Sequence, residues 1–152
     1  MFSIVIEGKD KSFTCEAGDS LLRAGLRSGL GLPYECNTGG CGTCKFQLIE
    51  GETEDLWPDA PGITARDRQK GRKLACQNRP KGNCRIKMGI DPDCVPHILP
   101  KQRKARLDES RPLTHDMWEF RFKTEDAANF LPGQYALFQL PGVIGLRAYS
   151  MA

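Results

Sequence analysis

Residues 33–45 read P-Y-E-C-N-T-G-G-C-G-T-C-K and contain three cysteines within a short glycine-rich stretch. These are Cys36, Cys41 and Cys44, in the spacing C-x4-C-x2-C. A fourth cysteine, Cys76, follows in L-A-C-Q after a length of chain sufficient for a strand and a turn. The three glycines of this stretch allow positive φ and close backbone approach, so the loop can wrap around a compact group that the thiolates hold.

The four cysteines predict an iron-sulfur centre. Three cysteines in this spacing, with a distant fourth, are typical of a two-iron two-sulfur cluster. We therefore expect Cys36, Cys41, Cys44 and Cys76 to lose their protons and to bind a 2Fe-2S cluster. The loop amides should donate hydrogen bonds to sulfur and tune the reduction potential. Such a cluster takes up and releases single electrons, and no catalytic residue is predicted beside it.

Zinc binding, disulfide formation and a purely structural role fit the four cysteines less well. Structural zinc prefers paired C-x2-C or Cys/His ligands, whereas only Cys41 and Cys44 have that spacing, and His97 and His115 lie far away. A disulfide framework is disfavoured by the odd total of seven cysteines and by the lack of a secretory signal. A chance grouping of buried cysteines leaves the glycine pattern unexplained. That ordinary structural role is expected only at the remaining positions, Cys15, Cys84 and Cys94.

Residues 1–89 as a whole resemble a plant-type ferredoxin domain. The resemblance depends on E-A-G-D-S-L-L-R-A-G at 16–25, on the cysteine loop at 33–45 and on K-L-A-C-Q at 73–77. The segment L-W-P-D-A-P-G-I-T-A-R at 56–66 more narrowly resembles the electron-transfer reductases of bacterial aromatic-ring monooxygenases of the toluene and phenol type. In that family a flavin domain and then a nicotinamide domain follow the ferredoxin domain.

The resemblance also implies roles for the individual cysteines. Cys36 and Cys41 would hold one iron, and Cys44 and Cys76 would hold the other. The first iron would lie nearer the surface and would be the one that is reduced.

The hydrophobic pattern of this region favours an α+β fold. Alternating apolar residues predict strands at 2–6, 12–15, 45–49 and 84–88. Asp19 is expected as the N-cap of a helix at 20–28. Thr64 and Asp67 resemble the capping-box start of a second short helix. The resulting order, β-β-α-β-α-β, is that of a β-grasp fold, in which a helix lies across a mixed sheet.

Residues 90–101 contain prolines at every fourth position, Pro92, Pro96 and Pro100. Proline restricts φ and has no N–H to donate, so we expect a semi-rigid linker. A loop that packs on the first domain is the alternative.

Residues 102–152 predict the first strands of an antiparallel β-barrel. The order strand, P-G-Q-Y at 132–135, strand, R-A-Y-S at 147–150 resembles the start of the flavin-binding barrel of ferredoxin reductases. The resemblance implies that Arg147 pairs with the FAD pyrophosphate, Tyr149 stacks on the isoalloxazine ring and Ser150 hydrogen bonds near its N5 atom.

This second region is expected to be incomplete. Three strands cannot close a barrel, and neither the later phosphate-binding turn nor a G-x-G-x-x-G segment for a nicotinamide occurs in the sequence. The sequence therefore predicts a partial FAD site, in a fragment of a longer reductase or in a truncated gene product.

Charge and hydropathy exclude other classes of partner. The formal charge is +3, and residues 1–89 carry it, with 14 Lys+Arg against 11 Asp+Glu. Stand-alone plant-type ferredoxins are usually strongly acidic, so this balance fits a ferredoxin fused to its electron donor. The basic stretches are mixed in sign, which disfavours nucleic-acid binding. No run of ~20 apolar residues and no signal peptide is visible, so we expect a cytoplasmic protein without a membrane partner.

The favoured function is one-electron transfer, as the ferredoxin part of an NAD(P)H-dependent oxygenase reductase. Its acceptor would be the hydroxylase component of a mono- or dioxygenase, or a small Rieske-type ferredoxin. NAD(P)H would act only if the missing C-terminal part is present. Two alternatives remain open. One is part of a self-sufficient NADH-dependent flavin oxidoreductase with another acceptor, and the other is a ferredoxin-like module whose cluster is structural.

Overall fold

A mixed sheet with a short helix packed on it forms the first part of the chain. The computed structural model describes residues 1–143 and 145–151. The helices and strands in chain order are β1 (Phe2–Ile6), β2 (Ser12–Cys15), α1 (Leu21–Arg27), β3 (Lys45–Glu50), β4 (Thr53–Asp55), α2 (Ala65–Gln69), β5 (Arg72–Leu74), β6 (Asn78–Pro80), β7 (Cys84–Lys87), β8 (Ala105–Pro112), β9 (Trp118–Thr124), β10 (Tyr135–Phe138) and β11 (Arg147–Ser150). Short 3-10 turns cover Ala75–Gln77 and Pro92–Cys94.

The main sheet has five strands in the order β2-β1-β7-β3-β5. Strand β1 is antiparallel to β2 and parallel to β7, and β3 is antiparallel to both of its neighbours. Helix α1 adds Leu21, Leu22 and Leu26 to the core beneath the sheet. Strands β4, β5 and β6 were not predicted, because each has only three residues and shows too short a pattern. The sheet-rich fold with few helices agrees with the expected α+β class.

Helix α1 begins one residue later than expected. The Ser20 Oγ accepts a hydrogen bond from the backbone N–H of Arg23 at 3.3 Å, which makes Ser20 the N-cap. The prediction of Asp19 for that role was wrong. The Asp19 carboxylate instead accepts hydrogen bonds from the backbone N–H of Ser20 at 2.8 Å and from the Arg23 guanidinium at 3.2 Å. Gly29, with φ of +77°, follows the helix in a conformation that glycine adopts without strain.

Helix α2 is tied to the sheet by one buried carboxylate. Asp67 and Thr64 form the predicted capping box, in which each side chain accepts a hydrogen bond from the backbone N–H of the other residue. Asp67 also pairs with Lys45 at 2.9 Å and with Arg72 at 3.0 Å. The hydrogen bonds from Lys45, Thr64 and Arg72 hold the pKa of Asp67 well below its usual range. Because Lys45 directly follows Cys44, this carboxylate also fixes the end of the cysteine loop.

The segment 90–101, predicted as a linker, packs in part on the first half of the chain. The Asp91 N–H donates to the Gly31 carbonyl at 2.8 Å, and a Cβ at Gly31 would lie 2.0 Å from the Asp91 carbonyl oxygen. Ile90 packs against the core. The beginning of this segment is therefore held by backbone contacts as well as by its prolines.

The described residues after 101 form two antiparallel strand pairs, β8–β9 and β10–β11. Three large apolar side chains of the first pair, Leu107, Trp118 and Phe120, are about half exposed. The ring of Phe122 contacts that of Phe138, with centroids 4.7 Å apart, so the two pairs touch through aromatic side chains. In the part of the chain that the structure describes, no helix has the length and apolar character needed to cross a membrane.

We expect Asp67→Asn to lower the stability of the fold at neutral pH, because the amide cannot replace the ion pairs with Lys45 and Arg72. The depressed pKa means that the stabilisation by Asp67 is complete above the ordinary carboxyl pKa of about 4 and is lost as the pH falls below it. Thermal unfolding of the cluster-free wild type and variant should therefore differ at pH 7 and converge in strong acid. Asp10→Asn, in an exposed turn, is the matched control. Equal stability of wild type and Asp67→Asn at pH 7 would contradict the assigned role.

Candidate metal centre

The four predicted ligands lie in two separate parts of the chain. Cys36 and Cys41 lie in the loop between α1 and β3, and Cys44 ends that loop. Cys76 lies in the 3-10 turn that follows β5.

The register of two strands brings these parts together. Strands β3 and β5 are antiparallel, with Lys45 opposite Leu74. One step further along, the Ala75 N–H donates to the Cys44 carbonyl at 2.9 Å. The ladder between the strands thereby places Cys44 beside Cys76.

The four thiols meet as two pairs. The Cys36 thiol interacts with that of Cys41, and the Cys44 thiol interacts with that of Cys76. Cys44 and Cys76 are 2 % and 1 % exposed, whereas Cys41 is exposed and Cys36 is half-buried. We call Cys36 and Cys41 the outer pair, and Cys44 and Cys76 the inner pair.

Pairs of thiols are the arrangement that a two-iron cluster needs. Each iron of a 2Fe-2S cluster takes two cysteine thiolates, whereas structural zinc needs four ligands around one point. Among the residues that the structure describes, no three His, Cys, Asp or Glu side chains are grouped so that they could hold one metal ion. The donor set therefore fits a 2Fe-2S cluster, and the role of each cysteine as a ligand stays a prediction.

Backbone N–H groups surround the outer pair. The Cys36 sulfur accepts hydrogen bonds at 3.4, 3.3 and 3.4 Å from the N–H groups of Thr38, Gly40 and Cys41. The Cys41 sulfur accepts one from Thr43 at 3.4 Å. Burial opposes ionisation of Cys36, but the N–H groups outweigh it and lower the pKa of this thiol to about 6. The loop thus favours the thiolate form that iron binds.

The two inner thiols are buried side by side. Their interaction lowers the pKa of Cys44 against the effect of burial. The same interaction, together with burial, raises the pKa of Cys76. A bound metal ion would supply the positive charge that stabilises the second buried thiolate. Loss of the last proton is therefore coupled to metal binding.

The segment 56–66 supports the cysteine loop from outside. The Gly62 N–H donates to the Gly39 carbonyl at 2.9 Å, and a Cβ at Gly62 would lie 2.7 Å from that oxygen. A Cβ at Gly39 would lie 3.1 Å from the indole ring of Trp57, which is 45 % exposed. The sequence pattern assigned no role to Gly62 or Trp57. The only signal for these two residues was the resemblance of this segment to the monooxygenase reductases.

The three glycines of the loop have different roles. Gly39 and Gly42 have φ of +92° and +77°, where other residues are strained. A Cβ at Gly42 would also lie 2.5 Å from the Gly62 carbonyl oxygen. Gly40 has no positive φ, and a Cβ there would meet only the Cys36 sulfur, at 3.9 Å. The expectation that all three glycines supply positive φ was wrong for Gly40, which contributes its N–H instead.

The predicted flavin residues Arg147, Tyr149 and Ser150 lie together on β11, and all three are exposed. Alternation along a strand puts Arg147 and Tyr149 on one face and Ser150 on the other. The ring of Tyr149 meets that of Phe138 edge-on, with centroids 5.6 Å apart. Contact of these residues with FAD stays a prediction.

Replacement of single cysteines should separate ligands from structural cysteines. Purified protein is expected to contain about two irons and about two labile sulfides per chain. Serine at any of Cys36, Cys41, Cys44 or Cys76 should abolish or grossly alter the cluster. Serine at Cys15, Cys84 or Cys94 should leave the iron and sulfide content unchanged. Metal and sulfide analysis with visible absorbance measures both, and one zinc without sulfide would refute the cluster.

Gly42→Ala is expected to impair cluster incorporation, because the methyl group would strain the backbone and collide with Gly62. Gly40→Ala is the matched control, one position from a ligand, where the structure has room for a Cβ. Iron per chain after reconstitution under identical conditions measures the difference. Equal occupancy in the two variants would show that the loop is less tightly constrained than its geometry indicates.

Comparison with known proteins identifies the family. Residues 4–81 match the sequence family described as a 2Fe-2S iron-sulfur cluster binding domain. This match covers just over half of the chain and includes all four cysteines of the two pairs.

The chain is also similar to reductase components of oxygenase systems. It is 49 % identical to the ferredoxin–NAD(P)(+) reductase CarAd of Metapseudomonas resinovorans, over 100 % of this chain and 46 % of that protein. It is 39 % identical to the ferredoxin–NAD(+) reductase component of the alkene monooxygenase system of Xanthobacter autotrophicus, over 93 % of this chain and 43 % of that protein. The chain thus spans less than half the length of these curated relatives.

Solved structures show the same relationship. The ferredoxin reductase in carbazole 1,9a-dioxygenase aligns with a TM-score of 0.92 at 46 % identity, over 99 % of this chain and 47 % of that one. The Amycolatopsis cytochrome P450 reductase GcoB aligns with a TM-score of 0.76 at 31 % identity, over 99 % and 44 %. Together, the matches confirm the resemblance of this chain to a 2Fe-2S ferredoxin domain and to the reductases of oxygenase systems. With its two cysteine pairs inside the matched region, the chain belongs to the 2Fe-2S iron-sulfur cluster binding domain family.

Proposed function

We propose that this chain transfers single electrons through a 2Fe-2S cluster, as the ferredoxin part of an NAD(P)H-dependent oxygenase reductase. The proposal rests on one observation, the presence of a buried inner cysteine pair and an outer pair with an exposed Cys41, in a chain that resembles oxygenase reductases over almost its whole length. When bound, the cluster supplies a site that accepts and releases one electron.

The cysteine pairs are assigned to the two irons. Cys36 and Cys41 would hold the iron nearer the surface, and Cys44 and Cys76 would hold the other. The N–H groups that donate to the outer sulfurs would stabilise added negative charge on a bound cluster and would thus favour reduction of the iron held by the outer pair. Exposure of Cys41 gives an electron acceptor access to this edge, which a purely structural cluster would not require.

The chain is divided into three parts in this proposal. Residues 1–89 form a β-grasp domain of the plant-type ferredoxin class, which the mixed five-stranded sheet and the packing of α1 support. Residues 90–101 connect it to residues 102–152, which would be the first strands of a FAD-binding barrel. The half-exposed apolar side chains of β8 and β9 support this, because a complete barrel would cover such a surface.

The flavin side of the proposal concerns β11. Arg147 would pair with the FAD pyrophosphate, Tyr149 would stack on the isoalloxazine ring and Ser150 would hydrogen bond near its N5 atom. Support comes from the exposure of all three side chains on one strand. They form only part of a site, so we expect this chain by itself to bind FAD weakly.

The acceptor would be the hydroxylase component of an oxygenase or a small Rieske-type ferredoxin. Relatives named as parts of an alkene monooxygenase system and of a naphthalene 1,2-dioxygenase system support an oxygenase partner in general. NAD(P)H would be the electron donor of the complete reductase. The cytoplasmic location and the lack of nucleic-acid and membrane partners stay predictions of the sequence.

Reductive titration tests the proposal directly. The cluster-containing chain should take up about one electron from dithionite, bleach, and regain its colour when air is admitted. NADH with added FAD should bleach it negligibly, since the chain has no G-x-G-x-x-G segment. The cluster-free Cys76→Ser protein is the control for nonspecific absorbance changes. A cluster that cannot be reduced, or that is destroyed on reduction, would point to a structural role instead.

A further inference from the structure

One side chain from the strands that follow residue 101, that of Tyr135, reaches the cysteine loop. The Tyr135 hydroxyl donates a hydrogen bond of 2.7 Å to the backbone carbonyl of Glu35, a residue one hundred positions earlier in the chain. Glu35 directly precedes Cys36, whose sulfur accepts three backbone N–H hydrogen bonds. The contact therefore ends on the part of the loop that shapes the outer cysteine pair.

The backbone of Tyr135 lies beside the proposed flavin site. Tyr135 is the first residue of β10 and lies directly opposite Ser150 in the β10–β11 ladder. The Met151 N–H donates to the Gln134 carbonyl at 3.1 Å, which continues the pairing past Ser150. Directly opposed residues in antiparallel strands lie about 5 Å apart. One cross-strand step thus separates the tyrosine at the cysteine loop from the serine assigned to the isoalloxazine ring.

The surroundings of the tyrosine keep it a hydrogen-bond donor. Its side chain is half-buried, and burial, followed by the effects of Tyr34 and the thiols Cys36 and Cys41, raises the pKa of Tyr135. The hydroxyl therefore retains its proton over the whole physiological range. The acceptor is a backbone carbonyl, which does not titrate, so the contact is insensitive to pH.

We propose that Tyr135 is a positioning residue that holds the β10–β11 strand pair against the cysteine loop through its hydrogen bond to the Glu35 carbonyl. This inference rests on the proposed function, because it assigns Tyr135 the task of fixing the separation between the flavin edge and the outer cysteine pair. Electron transfer slows steeply as the distance between redox centres grows. A rigid contact at this point would keep that distance constant without involving any cluster ligand or any residue assigned to FAD.

A simpler role for Tyr135 would be to fill space beside the loop. The two roles differ in what the hydroxyl does, because a space-filling role needs only the ring. Tyr135→Phe removes the hydroxyl and keeps the ring. Tyr34→Phe is the matched control, since it makes the same chemical change in the loop itself, at a residue that packs against the core.

The first experiment measures the loop in the cluster-containing 152-residue chain. Hydrogen exchange of the Thr38, Gly40 and Cys41 amides should be about two- to tenfold faster in Tyr135→Phe than in wild type, as expected for loss of one neutral hydrogen bond. The EPR spectrum of the reduced cluster should also change in shape, because the loop around the outer pair is less restrained. Tyr34→Phe should match wild type in both measurements. Unchanged exchange and an unchanged spectrum in Tyr135→Phe would overturn the proposal.

A second measurement uses the wild-type chain and does not depend on how the variant folds. The chain has three tyrosines, so ring-labelled tyrosine gives few NMR signals; Tyr34→Phe and Tyr149→Phe assign two of them, and the third is that of Tyr135. Reduction of the cluster should broaden the Tyr135 signal strongly, because its hydroxyl contacts the residue before Cys36. A sharp Tyr135 signal in the reduced protein would show that the contact is not formed and would overturn the proposal.

The complete flavin-containing reductase provides the functional readout. Tyr135→Phe should slow electron transfer from flavin to cluster by about two- to tenfold, while hydride transfer to the flavin keeps its wild-type rate. Equal slowing of both steps would overturn the positioning role. Failure of the wild-type chain to accept an electron reversibly would refute the proposed function, whereas the hydrogen exchange result would still decide whether Tyr135 holds the loop.

Discussion

Close backbone approach around the cysteine loop is the constraint on which the metal centre depends. The Gly62 N–H reaches the Gly39 carbonyl at 2.9 Å, and a Cβ at Gly42 would lie 2.5 Å from the Gly62 carbonyl oxygen. The positive φ at Gly39 and Gly42 turns the loop so that its amides face sulfur. The segment 56–66 thus packs against the outside of the cysteine loop, with the Trp57 ring beside Gly39.

Strand pairing brings the fourth cysteine to the cysteine loop. The β3–β5 ladder places Cys44 beside Cys76 and buries both, while the outer pair stays near the solvent. Asp67 also supports this arrangement, because it binds Lys45 at the start of β3 and Arg72 at the start of β5. The two pairs therefore differ in exposure, because the inner pair is buried whereas Cys41 of the outer pair is exposed.

Much of the fold and of the candidate metal centre could be predicted from the sequence, for physical reasons that differ from residue to residue. The cysteine positions predict the cluster directly, because the irons need thiolate ligands and cysteines at this spacing supply them. The capping box of Thr64 and Asp67 is a local contact within one turn, and local contacts are readable from sequence. The choice between Asp19 and Ser20 as N-cap was not readable, since both side chains can accept a backbone N–H. In the folded chain Ser20 caps the helix, and Asp19 pairs with Arg23.

The sequence by itself predicted four thiol ligands, a glycine-lined loop around them and a flavin-type strand pattern after it. Residue type and short spacing are sufficient for these. Only the tertiary structure decided which glycine is replaceable, which thiols are buried and that Tyr135 reaches Glu35 across one hundred residues. These three features depend on how segments that are distant in the sequence pack against each other. A sequence pattern contains no information on the distance between two atoms that only folding brings together.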